Sequence, residues 1–164
     1  GGDEPQSNML VPFSMLLNLA SVSSAEDKSQ LWGCIQRYAP DSNPDNNPDM
    51  DAAADFAVRY YNDFVKPTKT NRIPDDLERE ALTDLRNQLA SYDGPVDDEA
   101  LQSIVYACGR ERFDPLRGWF KALYEVLLGA SQGPRFGGFI ALYGVSETVA
   151  LIDMALAGEL ADTD

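Results

Sequence analysis

The 164-residue chain contains no histidine and only two cysteines. Histidine is the usual general base and the commonest metal ligand, and no Cys-x-x-Cys spacing occurs, so the composition disfavours zinc chemistry and a thiol redox motif. Serines are plentiful, but no nucleophile can be matched with an adjacent base. We therefore predict no catalytic residue, no metal site and no cofactor in this chain.

Long apolar runs are also missing, because no stretch of about 18 apolar residues occurs. The first residues lack a basic segment followed by an apolar one, so neither a membrane span nor a secretory signal is predicted, and the cytoplasm is the default expectation. Cys34 and Cys108 each occupy an apolar helical position. This pattern favours buried, reduced thiols over a disulfide.

Charge is abundant but strongly one-sided, with 27 acidic against 13 basic residues and a net charge of −14. Such a chain repels nucleic acid at long range. The basic residues are nevertheless clustered: the segment 66–72 holds three cations and no acid, and the segment 110–135 holds five cations against three acids. A locally basic docking face on an acidic body is therefore possible.

Apolar residues recur with a helical period along the chain, and no useful length alternates with a period of two, which predicts an all-α fold of about eight helices. The expected helix starts are Pro12, a Ser24 to Asp27 capping box, an Asp97 cap, an Asp114 cap followed by Pro115, Pro134, and a Ser146 cap; Gly129 and Gly144 are expected to end helices. The predicted buried stripes include Tyr38, Phe64, Leu77, Trp119, Phe120 and Phe136.

Three motifs of the last third follow one another in order: Pro-Leu-Arg at 115–117, Gly-Pro at 133–134 before an aromatic helix, and a final Leu-rich helix. Together with the segments 3–13 and 31–40, this order resembles the C-terminal, anticodon-binding part of class I lysyl-tRNA synthetases of the bacterial branch, relatives of the glutamyl-tRNA synthetases. The resemblance covers nearly all of the chain. It implies a connector of residues 1–72 and an anticodon-binding helix cage of residues 73–164, divided at the proline-containing segment 66–74.

The resemblance implies that a parent enzyme joins lysine to tRNA with ATP and Mg²⁺, and that this chain lacks its catalytic domain and cannot aminoacylate alone. The expected partners are the tRNA anticodon arm and that catalytic domain, with no membrane or DNA partner. Unpaired bases are recognised by stacking and by hydrogen bonds to their edges. The candidate tRNA contacts are Arg110, Arg112, Phe113, Arg117, Lys121, Arg135, Lys66, Lys69 and Arg72. Trp119 and Phe136 are expected to pack in the core instead.

An acidic, all-helical module for protein interaction is the alternative interpretation. Arg117 and Arg135 could equally form ion pairs on the surface, and the segment 66–72 could be a solvated loop.

Overall fold

The computed structural model describes residues 11–161, and over that range the protein is all-helical without a strand. Most of the 3–13 motif lies outside the described residues. The eight α-helices confirm the predicted fold class and are α1 Phe13–Ser23, α2 Lys28–Tyr38, α3 Pro48–Tyr60, α4 Asp76–Ala90, α5 Asp98–Arg110, α6 Arg117–Leu123, α7 Phe136–Tyr143 and α8 Val145–Leu156. The π-helical turns Tyr61–Val65 and Tyr124–Leu128 continue α3 and α6, and a 3-10 turn, Lys66–Thr68, follows the first of them.

Two compact units make up the chain: the first ends at Thr68 and the second begins at Lys69. In the first unit α1, α2 and α3 pack against one another. Trp32 of α2 donates its indole N–H to Asp51 Oδ1 of α3 at 3.0 Å, and Lys28 Nζ lies 2.7 Å from Asp51 Oδ2. One carboxylate of α3 therefore holds α2 through two side chains. The division of the sequence after residue 72 stays a prediction.

In the second unit α5 packs on α7 and α4 packs on α8, and α4 also contacts α5. Trp119 and Phe136 are fully buried, which confirms that they pack in the core. Trp119 also donates its indole N–H to Val105 O at 2.8 Å. Within residues 11–161 no single helix is long and apolar enough to cross a membrane; only α7 and α8 together meet that length and composition, and they are bent by 110°.

Several predicted helix boundaries are confirmed and others are wrong. Pro12 does precede α1, Asp97 caps α5 through the Ala100 N–H, and Gly129 ends its helix with φ 68°. The predicted Ser24 box is wrong, because Asp27 and Gln30 form the capping box of α2. The helix starts predicted at Asp114, Pro134 and Ser146 are also wrong. Helix α6 begins at Arg117 without a side-chain cap, α7 begins at Phe136, and α8 begins at Val145. No side-chain hydrogen bond caps the start of any of these three helices.

Tyr38, the last residue of α2, was predicted on a buried stripe but is 50% exposed. Two further residues of the predicted stripes are also exposed. Phe64 is 65% exposed because it lies in the π-helical turn Tyr61–Val65, where the wider turn displaces side chains from the 3.6-residue period of α3. Leu77 is 40% exposed and lies in the first turn of α4, before the buried stripe of that helix begins at Glu78 and Ala81. Helical period alone does not place the residues at these two helix ends.

Candidate nucleic-acid interface

Three grooves of the second unit contain most of the candidate tRNA contacts. We call them by the helices that form them. The α6 groove is lined by Pro115, Arg117, Gly118, Phe120, Lys121, Tyr124, Ser131, Gln132 and Gly133. The α5–α7 groove is lined by Glu99, Gln102, Ser103, Tyr106, Ala107, Arg110 and Arg135. The α4 groove is lined by Asp76, Arg79, Glu80, Thr83, Asp84, Asn87 and Arg112.

The α6 groove combines a cationic rim with aromatic walls in a cavity of about 520 Å³. Arg117 and Lys121 lie one helical turn apart, so both side chains stand on the same side of α6. Arg117 is exposed and has no ion pair among residues 11–161, and Lys121 Nζ is only loosely paired, 3.9 Å from Glu125 Oε2. Phe120 and Tyr124 form the walls. This arrangement suits a planar base whose phosphate lies at the rim.

Tyr124 fixes the loop that closes the α6 groove. Its hydroxyl donates to Pro134 O at 2.9 Å, and burial raises the pKa of the Tyr124 phenol, so the phenol remains a donor at neutral pH. A Cβ atom on Gly133 would lie 2.5 Å from Tyr124 Cδ1. Glycine at position 133 therefore allows the loop backbone to lie directly on the tyrosine ring.

The α5–α7 groove has a volume of about 480 Å³ and carries two further arginines. Arg110 is exposed, with no ion pair in the part of the chain that the structure describes, whereas Arg135 Nε lies 2.8 Å from Asp98 Oδ1. Tyr106 is 45% exposed along the same groove. The side-chain oxygen of Gln102 is already used within the protein, because Oε1 accepts the Gly137 N–H at 2.7 Å. The groove thus offers one unpaired guanidinium beside an exposed aromatic ring.

One loop joins the two grooves. Ser131 to Gly133 line the α6 groove, and Arg135, two residues beyond, lines the α5–α7 groove. The four cations on the two grooves form what we call the cation face: Arg110, Arg117, Lys121 and Arg135. All four are exposed, and each was predicted from the sequence as a tRNA contact.

Arg112 belongs to the α4 groove and is held by acids. Its NH1 atom lies 3.2 Å from Asp84 Oδ2 and also donates to Cys108 O at 3.0 Å, while its Nε lies 3.7 Å from Glu80 Oε1. The groove holds three acids and two arginines, so its net charge is negative and disfavours phosphate. Phe113, the neighbouring candidate, stacks on Trp119 with ring centroids 5.5 Å apart. Contact of these two residues with tRNA stays a prediction.

The segment 66–72 carries one exposed cation and one arginine that is fully engaged. Lys66 is exposed and lies at the end of the first unit. Arg72 Nε donates to Glu125 Oε1 at 2.7 Å, and its two terminal nitrogens donate to the buried Glu78 carboxylate at 2.7 and 2.8 Å. The hydrogen bonds from Arg72 hold the Glu78 pKa below its usual value, although burial opposes this. Arg72 therefore secures this segment to α4 and to the π-helical turn after α6.

Lys69 lies in the second unit and is half-buried. Its Cγ lies against Gly129, where a Cβ atom would come within 2.8 Å of it, and burial lowers the Lys69 pKa. Binding of tRNA by Lys66, Lys69 or Arg72 stays a prediction. Lys66 could meet phosphate from its present position, whereas Lys69 and Arg72 would first have to lose the contacts described.

Sequence reasoning missed the aromatic and amide side chains that line these grooves. Tyr106 and Tyr124 were not selected, and Phe120 was placed on the buried stripe of α6, although it lines the α6 groove. Spacing gives one available signal: Phe120 and Tyr124 are four residues apart, as Arg117 and Lys121 are, so the two pairs occupy adjacent faces of one helix. Gln102 carried no signal, because its role depends on the approach of α7.

The second unit thus presents an all-helical body with cations and aromatic rings around two grooves. The chain is 87% identical over 164 residues to a lysine–tRNA ligase of Roseobacter denitrificans, covering 100% of this chain and 31% of the relative. It is 42% identical over 144 residues to that of Rickettsia felis (87% of this chain, 27% of the relative) and 45% identical over 147 residues to that of Rickettsia bellii (89% and 28%).

The chain is therefore homologous to a region of lysine–tRNA ligases, and it matches about three tenths of the length of these relatives. The resemblance stated from the sequence is confirmed to that extent. No family model matches the chain, and no solved structure matches it.

Proposed function

We propose that this chain is the anticodon-arm-binding part of a class I lysine–tRNA ligase of the cytoplasm. The catalytic part of that enzyme, with its ATP and Mg²⁺, would lie outside this chain and would activate lysine and transfer it to tRNA. The chain alone is then expected to show no lysine-dependent pyrophosphate exchange. Its contribution would be selection of the tRNA through the cation face.

The observation that carries this proposal is the α6 groove, where two exposed cations border aromatic walls on a chain with a net charge of −14. Cations that only stabilise an acidic protein are expected to pair with its acids, as Arg72, Arg86 and Arg112 do. Arg117 instead remains unpaired within residues 11–161 beside Phe120 and Tyr124. Unpaired bases of a tRNA loop offer the π faces and phosphates that these groups bind.

Titration of lysine-specific tRNA with this chain, at several salt concentrations, tests the proposal. Phosphate contacts release counterions, so the affinity should fall with salt with a log-log slope of roughly −2 to −4 if about three to five cations take part. Arg117→Ala should weaken binding by about 1–3 kcal/mol, the range for a specific base or phosphate contact. Its melting temperature should stay near that of the unchanged chain, since exposed side chains contribute little to folding.

Arg59→Ala is the matched control, because it removes the same charge from an exposed arginine of the first unit, whose side chain is 68% exposed. Equal loss of affinity in both variants would mean that net charge alone decides, and would contradict a site at the α6 groove. A slope near zero, or no binding, would favour the protein-interaction module.

A further inference from the structure

The first unit carries a continuous cluster of aromatic rings on its surface. Phe13 of α1 stacks on Phe56 of α3 with centroids 5.5 Å apart, Phe56 contacts Tyr60 at 6.0 Å, and Tyr60 contacts Phe64 at 5.1 Å. Phe56, Tyr60 and Phe64 are 51%, 38% and 65% exposed. We call these four residues the aromatic patch.

This exposure reaches the size of the largest apolar patch on a typical soluble monomer, which is often functional. Aromatic side chains present about 150–250 Å² each, so the exposed parts of the patch add up to roughly 300 Å² of contiguous apolar surface. Patches of that size on a soluble protein commonly mark an interaction site. No described residue of the first unit covers the rings further.

The charges beside the patch disfavour RNA as its occupant. Asp55 and Asp63 lie next to the rings on α3 and its π-helical continuation, and both are exposed. Asp63 has no ion pair among residues 11–161, while Asp55 is only loosely paired, 3.4 Å from Arg59. These carboxylates would repel phosphate, but they would suit a protein surface that combines apolar side chains with lysine or arginine, whose cations also bind ring faces.

The size of the patch distinguishes between a separate protein and a covalently linked one. A stable complex of separate chains buries about 800 Å² on each partner, more than twice the area of the aromatic patch. A covalently linked domain can dock through a smaller buried area. The linkage supplies a high effective concentration and removes much of the entropy cost of association. The curated relatives are about three times as long as this chain, so each carries further polypeptide covalently linked to the matched region.

We propose that the aromatic patch docks on the remaining, catalytic part of the parent ligase, through apolar and cationic side chains of that part. This inference rests on the proposed function, since it requires the parent enzyme. It assigns the aromatic patch of the first unit to protein and leaves the cation face of the second unit for tRNA.

Hydroxyl-radical footprinting tests the docking, because it measures the exposure of individual aromatic side chains. The isolated chain is compared with a chimera in which this chain replaces the matched region of the Roseobacter denitrificans ligase. Oxidation of Phe56, Tyr60 and Phe64 should be at least about threefold slower in the chimera. Tyr38, which is 50% exposed in the same unit but outside the patch, is the internal control and should be oxidised equally in both.

The double variant Phe56→Ser and Phe64→Ser adds a second readout. It should lower the melting temperature of the chimera more than that of the isolated chain, which loses only the ring contacts within the patch, whereas Tyr38→Ser should affect both equally. Equal oxidation of the patch in chimera and isolated chain would overturn the docking. Slower oxidation in the isolated chain at high protein concentration would assign the patch to a second copy, and slower oxidation only with tRNA would assign it to RNA; either result overturns the proposal.

The failure of this inference can be told apart from the failure of the proposed function. Binding of tRNA is measured on the isolated chain, through the second unit, and the Phe56→Ser and Phe64→Ser variant should bind tRNA as the unchanged chain does. A chain that fails to bind tRNA refutes the proposed function, whatever the footprint shows. A chain that binds tRNA but leaves the patch equally exposed in the chimera refutes only the docking.

Discussion

Replacement of Gly137 by alanine should destabilise the second unit strongly, because α7 begins in direct backbone contact with α5. A Cβ atom on Gly137 would lie 2.5 Å from Asp98 O, 2.5 Å from Gln102 N and 2.8 Å from Gln102 Cα. Ordinary contacts of a Cβ atom begin at about 3.4 Å, so the two helices would have to separate by up to about 1 Å. Backbone atoms cannot rotate aside as a flexible side chain can.

The magnitude follows from three contributions. Overpacking costs typically 1–3 kcal/mol, and a clash with backbone belongs at the upper end, about 3 kcal/mol. Loss of the hydrogen bond from Gly137 N to Gln102 Oε1 adds about 1 kcal/mol. Alanine returns about 1 kcal/mol through its higher helix propensity. The net loss is about 3 kcal/mol, which for a unit of this size lowers the melting temperature by roughly 12–24 °C.

Thermal unfolding followed by circular dichroism measures this loss. Gly33→Ala is the control, because Gly33 lies inside α2 with no atom within 4 Å of the added Cβ, so alanine there should stabilise the chain by up to about 1 kcal/mol. A Gly137→Ala protein that melts within 2 or 3 °C of the unchanged chain, by the same conversion equivalent to less than about 1 kcal/mol, would refute the close crossing of α5 and α7.

Two further predictions concern buried titratable groups. Glu78→Gln should keep the capping role of position 78 in α4 but lose the charge that Arg72 binds. The free energy of unfolding at neutral pH should therefore fall by about 1–3 kcal/mol, a value that is reduced for the partial exposure of Arg72. Because the Glu78 pKa is lowered in the folded state, its contribution is present above about pH 4.5 and is lost as the pH falls through the folded value. Denaturant unfolding should therefore show a steeper acid loss of stability for the unchanged chain than for Glu78→Gln, and parallel pH profiles would contradict the pairing. Burial first, and then Asp84, raise the pKa of the Cys108 thiol to about 12, so a thiol reagent at pH 8 should label Cys108 only on unfolding; rapid labelling of folded protein would contradict its burial.

The fold could be predicted from the sequence because its evidence is local. The repeat of Leu101, Val105 and Cys108, capped by Asp97, specifies α5 without any knowledge of what it packs against. The start of α6 could not be predicted in the same way, since Asp114 was a plausible cap whose side chain the structure leaves out of the helix. The capping rule fails there, and the first turn of α6 instead carries Trp119, which is buried and donates to Val105 O of α5.

The candidate site could be predicted only as a list of cations. Sequence position cannot separate Arg112 from Arg117, five residues apart, because the difference lies in what α4 brings to them: Asp84 and Glu80 reach Arg112 and no acid among residues 11–161 reaches Arg117. Arg72 shows the same limit, since its partner Glu125 is distant in the sequence. Ion pairs between distant segments determine which cations remain available to a ligand.

The negative net charge of this protein also contributes to the proposed recognition of tRNA. A net charge of −14 weakens non-specific attraction of phosphate to the whole surface, so RNA would gain affinity only where cations are unpaired. Discrimination needs unfavourable contacts with wrong arrangements as well as favourable contacts with the right one. The acids of the α4 groove would supply the repulsion, and Arg110 and Arg117, on two grooves joined by the loop 131–135, would supply the attraction. A tRNA could therefore approach the second unit productively in few orientations, and the cation face would set its direction as well as its affinity.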